Sequence, residues 1–325
     1  LRQALLKKAV EYNHIPVTST DEIMVTVGST GAFVTAMFTL LNPGDEVIVF
    51  EPYYGYHCNL LTVMGANQKF VRTSGPDWNI DFDAVEALIT PRTKAIIVNT
   101  PGNPSGKVWS RAELNRIALI LEKHDLFAIT DEIYEYMLYD DREHISLASI
   151  PGAFERTITL SGFSKTYNMT GWRLGYAVGP ANIISKMGLL SDLIYICAPT
   201  PLQHGVAEAF EMDDDYFKEM GEAYERKREL MCTTLEEIGF IVPWPQGSYY
   251  VLADFSPLRE RFEGFEDDMA ASLTLVEKAG VGTVVGRSFF NNDLDGSSCL
   301  RFCFAKEYPV LLDACERLKK AFLPA

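Results

Sequence analysis

Basic residues, membrane-length apolar runs and clustered metal ligands are all scarce in this sequence. Its 325 residues hold 29 Lys and Arg against 44 Asp and Glu, a formal net charge of −15. Such a charge repels phosphate backbones and anionic membrane surfaces, and no Lys/Arg-rich run offsets it locally, which argues against nucleic-acid and membrane partners. The longest apolar stretches, such as Phe33–Leu41, fall far short of the ~18 residues a spanning helix needs. The six cysteines form no CxxC pair and follow no regular spacing. In a chain too long to need disulfide staples they read as reduced thiols, which places the protein in the cytoplasm. Cys299 and Cys303 read as small side chains on one face of a buried strand, and no His or second Cys pair stands near them to complete a metal site. The five histidines (His14, His57, His124, His144, His204) are isolated from one another and read as surface or packing residues. Internal repeats and low-complexity linkers are also missing.

What the sequence has in quantity is alternation. At roughly 100–200 residues per domain the length allows two domains. Short β-branched runs at Glu22–Val27, Glu46–Phe50, Gln68–Arg72, Lys94–Asn99, Phe127–Thr130, Thr157–Leu160 and Leu174–Val178 are interleaved with helical patterns, as in Ala32–Leu41 and Arg111–His124. Near-continuous apolar strands between helices predict an α/β fold with a largely parallel sheet covered on both faces, over about 18–205. Beyond Pro199-Thr200-Pro201 a long charged helix, a strand pair around Tyr249–Phe255 and a late strand at Leu300–Phe304 predict a smaller α+β domain. The segment Gly280-Val281-Gly282-Thr283-Val284-Val285-Gly286 has glycines that follow a helix and not a strand, so a helix C-cap and a bend explain it better than a dinucleotide fingerprint does.

Ligands of doubly wound sheets gather at the carboxyl ends of the strands, and polar residues accumulate there. The first strand is followed by Gly28-Ser29-Thr30-Gly31, a tight turn or a phosphate-ready helix N-terminus. The second leads into Glu51-Pro52-Tyr53-Tyr54-Gly55-Tyr56, the fourth into Asn99 through Asn103-Pro104-Ser105-Gly106, the fifth into Asp131-Glu132-Ile133-Tyr134, and the sixth into Ser161 through Ser164-Lys165-Thr166 and on to Gly171-Trp172-Arg173. A lysine in an apolar pocket loses its proton readily and becomes a nucleophile toward aldehydes.

This ordered series, completed by Arg301 in Leu300-Arg301-Phe302, resembles the class I/II aminotransferases, the pyridoxal-phosphate enzymes of fold type I. It is similar to their aspartate, aromatic and kynurenine/glutamine branch. The resemblance implies a mostly parallel seven-stranded sheet with a smaller C-terminal α+β domain, divided as 1–18 (N-terminal helix of the small domain), 19–205 (cofactor-binding domain) and 206–325 (small domain). It implies pyridoxal 5'-phosphate as cofactor, with Lys165 forming the Schiff base and shuttling the α-proton. Asp131 would face the pyridine nitrogen, an N-cap role for a following helix being its alternative. Tyr134 and Asn103 would bond the ring's phenolic oxygen, and Tyr54 would stack on the ring. Ser29, Thr30 and Arg173 would hold the phosphate, joined by Ser164; Gly162 stands where the family often has a serine. Arg301 would take the substrate α-carboxylate, with Asn103 beside it.

The expected reaction is amino transfer between an L-amino acid and a 2-oxo acid. The alternatives are a carbon–sulfur β-lyase, which shares every one of these residues, and a non-catalytic ligand-sensing module, which would carry a basic head that this acidic chain lacks. The aromatic run Tyr53, Tyr54 and Tyr56, with Phe289-Phe290, predicts an aromatic-lined substrate pocket. The resemblance further implies a homodimer, with contacts around Ala198–Gln203. It also implies an arm ahead of the helix that Leu1 opens, so that one wall of the pocket is expected to lie outside these residues.

Overall fold

Strands buried on both faces must be covered on both, and the alternation inside each strand decides which helices do it. The computed structural model describes residues 1–212 and 214–323; residue 213 and the last two positions of the expected small domain, 324–325, lie outside the described residues. Strands β1 (Ile23–Val27), β2 (Glu46–Glu51), β3 (Asn67–Arg72), β4 (Thr93–Asn99), β5 (Phe127–Asp131), β6 (Thr157–Gly162) and β7 (Leu174–Val178) form one sheet in the order β1-β7-β6-β5-β4-β2-β3. The neighbours from β3 through β6 pair in parallel. Strand β7 runs antiparallel to both β6 and β1. The sheet is therefore mixed, as "mostly parallel" requires, and the reversal matters for the site.

The connecting helices are α1 (Arg2–Glu11), α2 (Gly28–Leu40), α3 (Gly55–Val63), α4 (Phe82–Ala87), α5 (Arg111–His124), α6 (Phe163–Thr166) and α7 (Ala181–Tyr195). On one face Val47 and Val49 of β2 pack with Ala36 and Met37 of α2, Leu61 of α3 and Met187 of α7. On the other, Ile48 and Ile96 pack with Leu114, Ile117 and Leu121 of α5. Helix α5 starts at a capping box, in which Ser110 accepts from the Glu113 N–H and Glu113 from the Ser110 N–H, and ends on Asp125 in the left-handed region.

A second, three-stranded antiparallel sheet holds β8 (Tyr250–Asp254), β9 (Val284–Val285) and the central β10 (Cys299–Cys303). With it come α8 (Thr200–Ala209), α9 (Asp214–Ile238), α10 (Asp268–Ala279), α11 (Asp293–Gly296) and α12 (Tyr308–Phe322). Leu300 and Phe302 of β10 point into a core shared with Leu235 of α9 and Leu318 of α12. Alternation then puts Cys299, Arg301 and Cys303 on the other face, where Cys303 is exposed. The two cysteines thus do not line a buried core face as expected. Gly280 caps α10 at φ +63, the expected C-cap.

Two boundaries shift from expectation. Helix α1 does not join the small lobe: Leu5 and Ala9 are buried with Ile23 of β1 and Tyr176 of β7, at the antiparallel edge of the large sheet. Lys8 of α1 is ion-paired with buried Glu135 at 2.7 Å, which holds the helix there. The expected break at 205/206 falls inside α8, whose Val206 is buried in that same cluster. Among the described residues no helix is long and apolar enough to cross a membrane, and no group of three or more His, Cys, Asp and Glu could hold a metal ion.

Glu46 joins three segments at the start of β2. It accepts from the Thr90 hydroxyl at 2.7 Å and from Arg92 at 2.9 Å, and pairs with Lys69 of β3 at 3.6 Å. The Thr90 hydrogen bond, more than the charges of Arg92 and Lys69, holds its pKa at about 2, below the usual 4.5. A carboxyl depressed in the folded state stabilises above its unfolded pKa, and that contribution is lost as pH falls toward the folded value. Glu46→Gln is therefore expected to lower the melting temperature at pH 7, and the gap to the wild type should close between pH 4.5 and about 2 in thermal melts.

Candidate active site

The carboxyl ends of β1, β2, β4, β5 and β6 share one edge, and the reversed β7 brings its preceding residue, Arg173, to that edge as well. Strand β1 enters α2 directly at Gly28 (φ +68), and no side chain caps this helix. The first-turn N–H groups, with Ser29 and Thr30 beside them, are left for an anion. A β-carbon on Gly28 would lie 2.6 Å from Arg173 Nη2, and one on Gly175 would lie 2.4 Å from the Gly28 carbonyl carbon. Two glycines thus let β7 and the start of α2 touch backbone to backbone and seat the guanidinium at the helix N-terminus. Arg173, itself at φ +55, donates from Nη1 to the Thr170 carbonyl at 3.0 Å.

Asp131 ends β5 and is buried, 8% exposed. Its Oδ2 lies 3.1 Å from His57 Nε2, and its backbone carbonyl accepts from the Thr100 N–H and the Asn99 amide, each at 3.0 Å. A turn, not a helix, follows Asp131, so the N-cap alternative falls away. His57 is buried in the first turn of α3, its ring 4.5 Å from Phe33 and edge-on to Tyr54 at 5.2 Å. It is therefore a site residue, where a surface or packing residue was expected. The available signal was its place two residues past Gly55, in the first helical turn after a strand end. His144, also expected at the surface or in packing, has its side chain buried and bonded to Glu132 at 2.8 Å.

Lys165 lies in α6, directly after β6. Among the described residues no hydrogen bond or ion pair holds its Nζ, which sits 5.6 Å from the centroid of the Tyr249 ring. Burial lowers its pKa below the ordinary lysine value and the Arg173 charge adds to this, against the opposing pull of Cys303 and Asp131. The cost of reaching the neutral, nucleophilic amine is thereby reduced. Tyr134 is buried edge-on against Tyr249 at 5.2 Å. Burial, then the neighbouring Tyr249 and Tyr250, raises its pKa, so it keeps its proton and can donate. Burial and the charge of Asp131 do the same to Tyr54.

Arg301 reaches the same space from β10. Its guanidinium lies 4.2 Å over the Tyr250 ring and 5.0 Å from the Phe289 ring, and Nη1 donates to Asn103 Oδ1 at 2.9 Å. Its buried Nε has no hydrogen-bond partner among the described residues. A guanidinium that lines a cavity suits an anion there. A cavity of about 650 Å³ is lined by Ser29, Thr30, Tyr54, Asn103, Asp131, Tyr134, Lys165 and Arg301. Of the ten residues singled out from the sequence, Arg173 stands behind Gly28, and Ser164 lies next to Lys165, its carbonyl bonded to Thr170; neither lines the cavity. Tyr250, which stacks on Arg301, gave no sequence signal beyond its place in the aromatic Tyr249-Tyr250 pair.

A free amine, a helix N-terminus backed by arginine, a buried carboxylate and a guanidinium in one cavity fit an aldehyde-bearing phosphorylated pyridine and a carboxylate substrate. The fold and the donor set define a pyridoxal-phosphate enzyme of fold type I. The family model "Aminotransferase class I and II" matches residues 1–318, and the chain belongs to that family. Among curated relatives, kynurenine–oxoglutarate transaminase 1 of Rattus norvegicus is 32% identical over 324 residues, covering 92% of this chain and 77% of the relative. Kynurenine–oxoglutarate transaminase 3 of Homo sapiens is 34% identical over 330 residues, 94% of this chain and 72% of the relative. Among solved structures, N-succinyldiaminopimelate aminotransferase from Mycobacterium tuberculosis superposes with a TM-score of 0.92 at 33% identity, covering 98% of this chain and 83% of that one. The aromatic aminotransferase from Pyrococcus horikoshii OT3 gives 0.90 at 32%, covering 98% and 84%. The protein is thus a pyridoxal-phosphate-dependent aminotransferase acting on amino acids and 2-oxo acids. The β-lyase and ligand-sensing alternatives are not favoured.

Gly175→Ala forces β7 away from Gly28. The expected result is a loss of about 1–3 kcal/mol from overpacking, together with weaker pyridoxal phosphate binding, measured by thermal melts and cofactor titration.

Proposed function

We propose that Lys165 would hold the aldehyde carbon of pyridoxal phosphate, and that its amine would serve as the base that takes a proton from the substrate α-carbon and as the acid that gives one back. The observation that carries this reading is the partly buried Lys165 Nζ, unpartnered among the described residues, in the cavity that Arg301 also lines. When bound, the cofactor supplies an electron sink for the pair of electrons left at the α-carbon. Asp131, kept in place by His57, would hold the proton on the pyridine nitrogen, and Tyr134 and Asn103 would donate to the phenolic oxygen. Tyr54 would cover the ring face. Ser29, Thr30, the α2 N–H groups and Arg173 would bind the phosphate, with Ser164 in support. Arg301 would grip the α-carboxylate in both half-reactions. Its planar fork is held flat by Tyr250 and Phe289, which fixes how the α-carbon is presented.

Tyr53, Tyr54, Tyr56, Tyr250 and Phe289 line the cavity, and aromatic or other neutral L-amino acids suit such walls; Phe290, expected beside them, is instead packed against Leu252. The names of the kynurenine–oxoglutarate transaminase relatives support this choice. A homodimer is the proposed assembly. In α7 and just past it Leu189, Leu193 and Ile196 are exposed, Leu193 by 80%, an apolar surface that a second copy would cover. Within the stretch expected at the interface Ala198 is buried and its carbonyl is bonded by Gln203. Six free thiols support a cytoplasmic location.

Purified protein given pyridoxal phosphate is expected to develop a visible absorption band and to transaminate an aromatic donor with a 2-oxo acid. Lys165→Ala should bind the cofactor and transfer nothing. Protein that stays colourless contradicts the reading. Arg301→Ala should raise KM for donor and acceptor alike by on the order of 100-fold, in line with the roughly 2–5 kcal/mol carried by a buried charged contact.

A further inference from the structure

The loop over 286–296 carries Phe289 and is fixed to both lobes. On the small-lobe side the Arg287 N–H and Nε donate to Asp268 at 2.9 and 2.7 Å. Four contacts meet it on the large-sheet side. The Tyr53 N–H donates to the Phe289 carbonyl at 2.9 Å. The Asn291 N–H donates to Glu51 Oε1. Arg72 pairs with Asp295 at 2.6 Å. Trp78 packs against Phe289 and Phe290. Trp78 sits at φ +52, a conformation that costs a bulky residue energy and persists only where its surroundings hold it.

Glu51, the last residue of β2, is 6% exposed. Among the described residues no Lys or Arg pairs with its carboxylate, although Arg72 lies nearby on β3 and is engaged by Asp295. Burial raises its pKa and the Asn291 N–H opposes this. Keeping such a costly group at a strand end needs a reason, and the backbone of the loop supplies one. The turn that begins at Glu51 also delivers Tyr54 and His57 to the cavity, so it meets the site on one side and the loop on the other.

We propose that Glu51 is a positioning residue: through the Asn291 N–H, and together with Trp78, it seats the 286–296 loop so that the Phe289 ring stays against Arg301, and it thereby sets the affinity for the substrate carboxylate. The inference rests on the role given to Arg301 above. Without the contact the loop loses one of its large-sheet anchors, Phe289 is held less firmly against the guanidinium, and carboxylate binding weakens. The groups assigned to the cofactor lie outside the 286–296 loop, and the Glu51 carboxylate bonds none of them.

The test uses cofactor-loaded wild type, Glu51→Ala, Glu51→Gln and Trp78→Ala, with steady-state kinetics in donor and acceptor and amide hydrogen exchange across the loop. Glu51→Ala and Trp78→Ala are expected to raise both KM values about fivefold to twentyfold, the scale of one buried hydrogen bond or one ring contact. Their kcat, visible spectrum and cofactor affinity should hold, and exchange should accelerate within 286–296. Glu51→Gln keeps an oxygen for the Asn291 N–H and should restore KM. Unchanged KM in Glu51→Ala, a fall in kcat at constant KM, or a Glu51→Gln variant as impaired as Glu51→Ala overturns the proposal. If Glu51→Ala fails to load cofactor, unchanged loop exchange and KM in Trp78→Ala overturn it. A wild type without transamination counts against the proposed function; a working wild type beside unaltered variants counts against the latch alone.

Discussion

A carboxylate buried at the end of the central strand is the constraint around which this structure is arranged. Asp131 gives up water in a place where an unpaired charge is expensive, and the interaction that answers this is its 3.1 Å contact with His57. His57 has to arrive from the first turn of α3 and be backed by Phe33 of α2 and by Tyr54, so two helices and a strand-to-helix turn are fixed by one buried charge. The Asp131 backbone is held as tightly, by Asn99 and Thr100 from the neighbouring strand end. What remains open on the Asp131 side chain faces the cavity with Lys165. The cost of burial is thus offset at Oδ2 by His57, while among the described residues Oδ1 accepts only the long 3.4 Å bond of the Ile133 N–H.

The opposite charge is gathered by topology. A chain at −15 has few cations to place, and three elements bring theirs to one edge by different routes. Lys165 follows a parallel strand. Arg173 precedes the reversed β7, and two glycines let that strand close on α2. Arg301 crosses from the small sheet and is bonded to Asn103 of the large one. Because these routes run through both lobes, the cavity has all three cations at its edge only when the lobes are in register.

Much of this was legible in the sequence because both periodicities are strong. The β2 alternation, Val47 and Val49 to one face and Ile48 to the other, fixes a two-sided sheet, and polar residues at strand ends locate its active edge. The direction of β7 was not legible, since five buried residues read alike either way. Nor was the partner of α1: an amphipathic helix specifies an apolar surface, not which one, and the Lys8–Glu135 pair that decides it joins distant segments. His57 carries only a weak signal in the sequence, its place in the first helical turn after a strand end, because its carboxylate partner Asp131 lies 74 positions away. Cys303 misled because apolar neighbours suggested burial, whereas the turned-in residues of β10 are Leu300 and Phe302, and the face it shares with Arg301 opens outward.

Covalent trapping reports which lysine carries the cofactor. Holoenzyme reduced with borohydride and digested should carry the pyridoxyl group on the peptide that contains Lys165, and mass spectrometry would locate it. A pyridoxyl group on another lysine, or on none, would contradict the account.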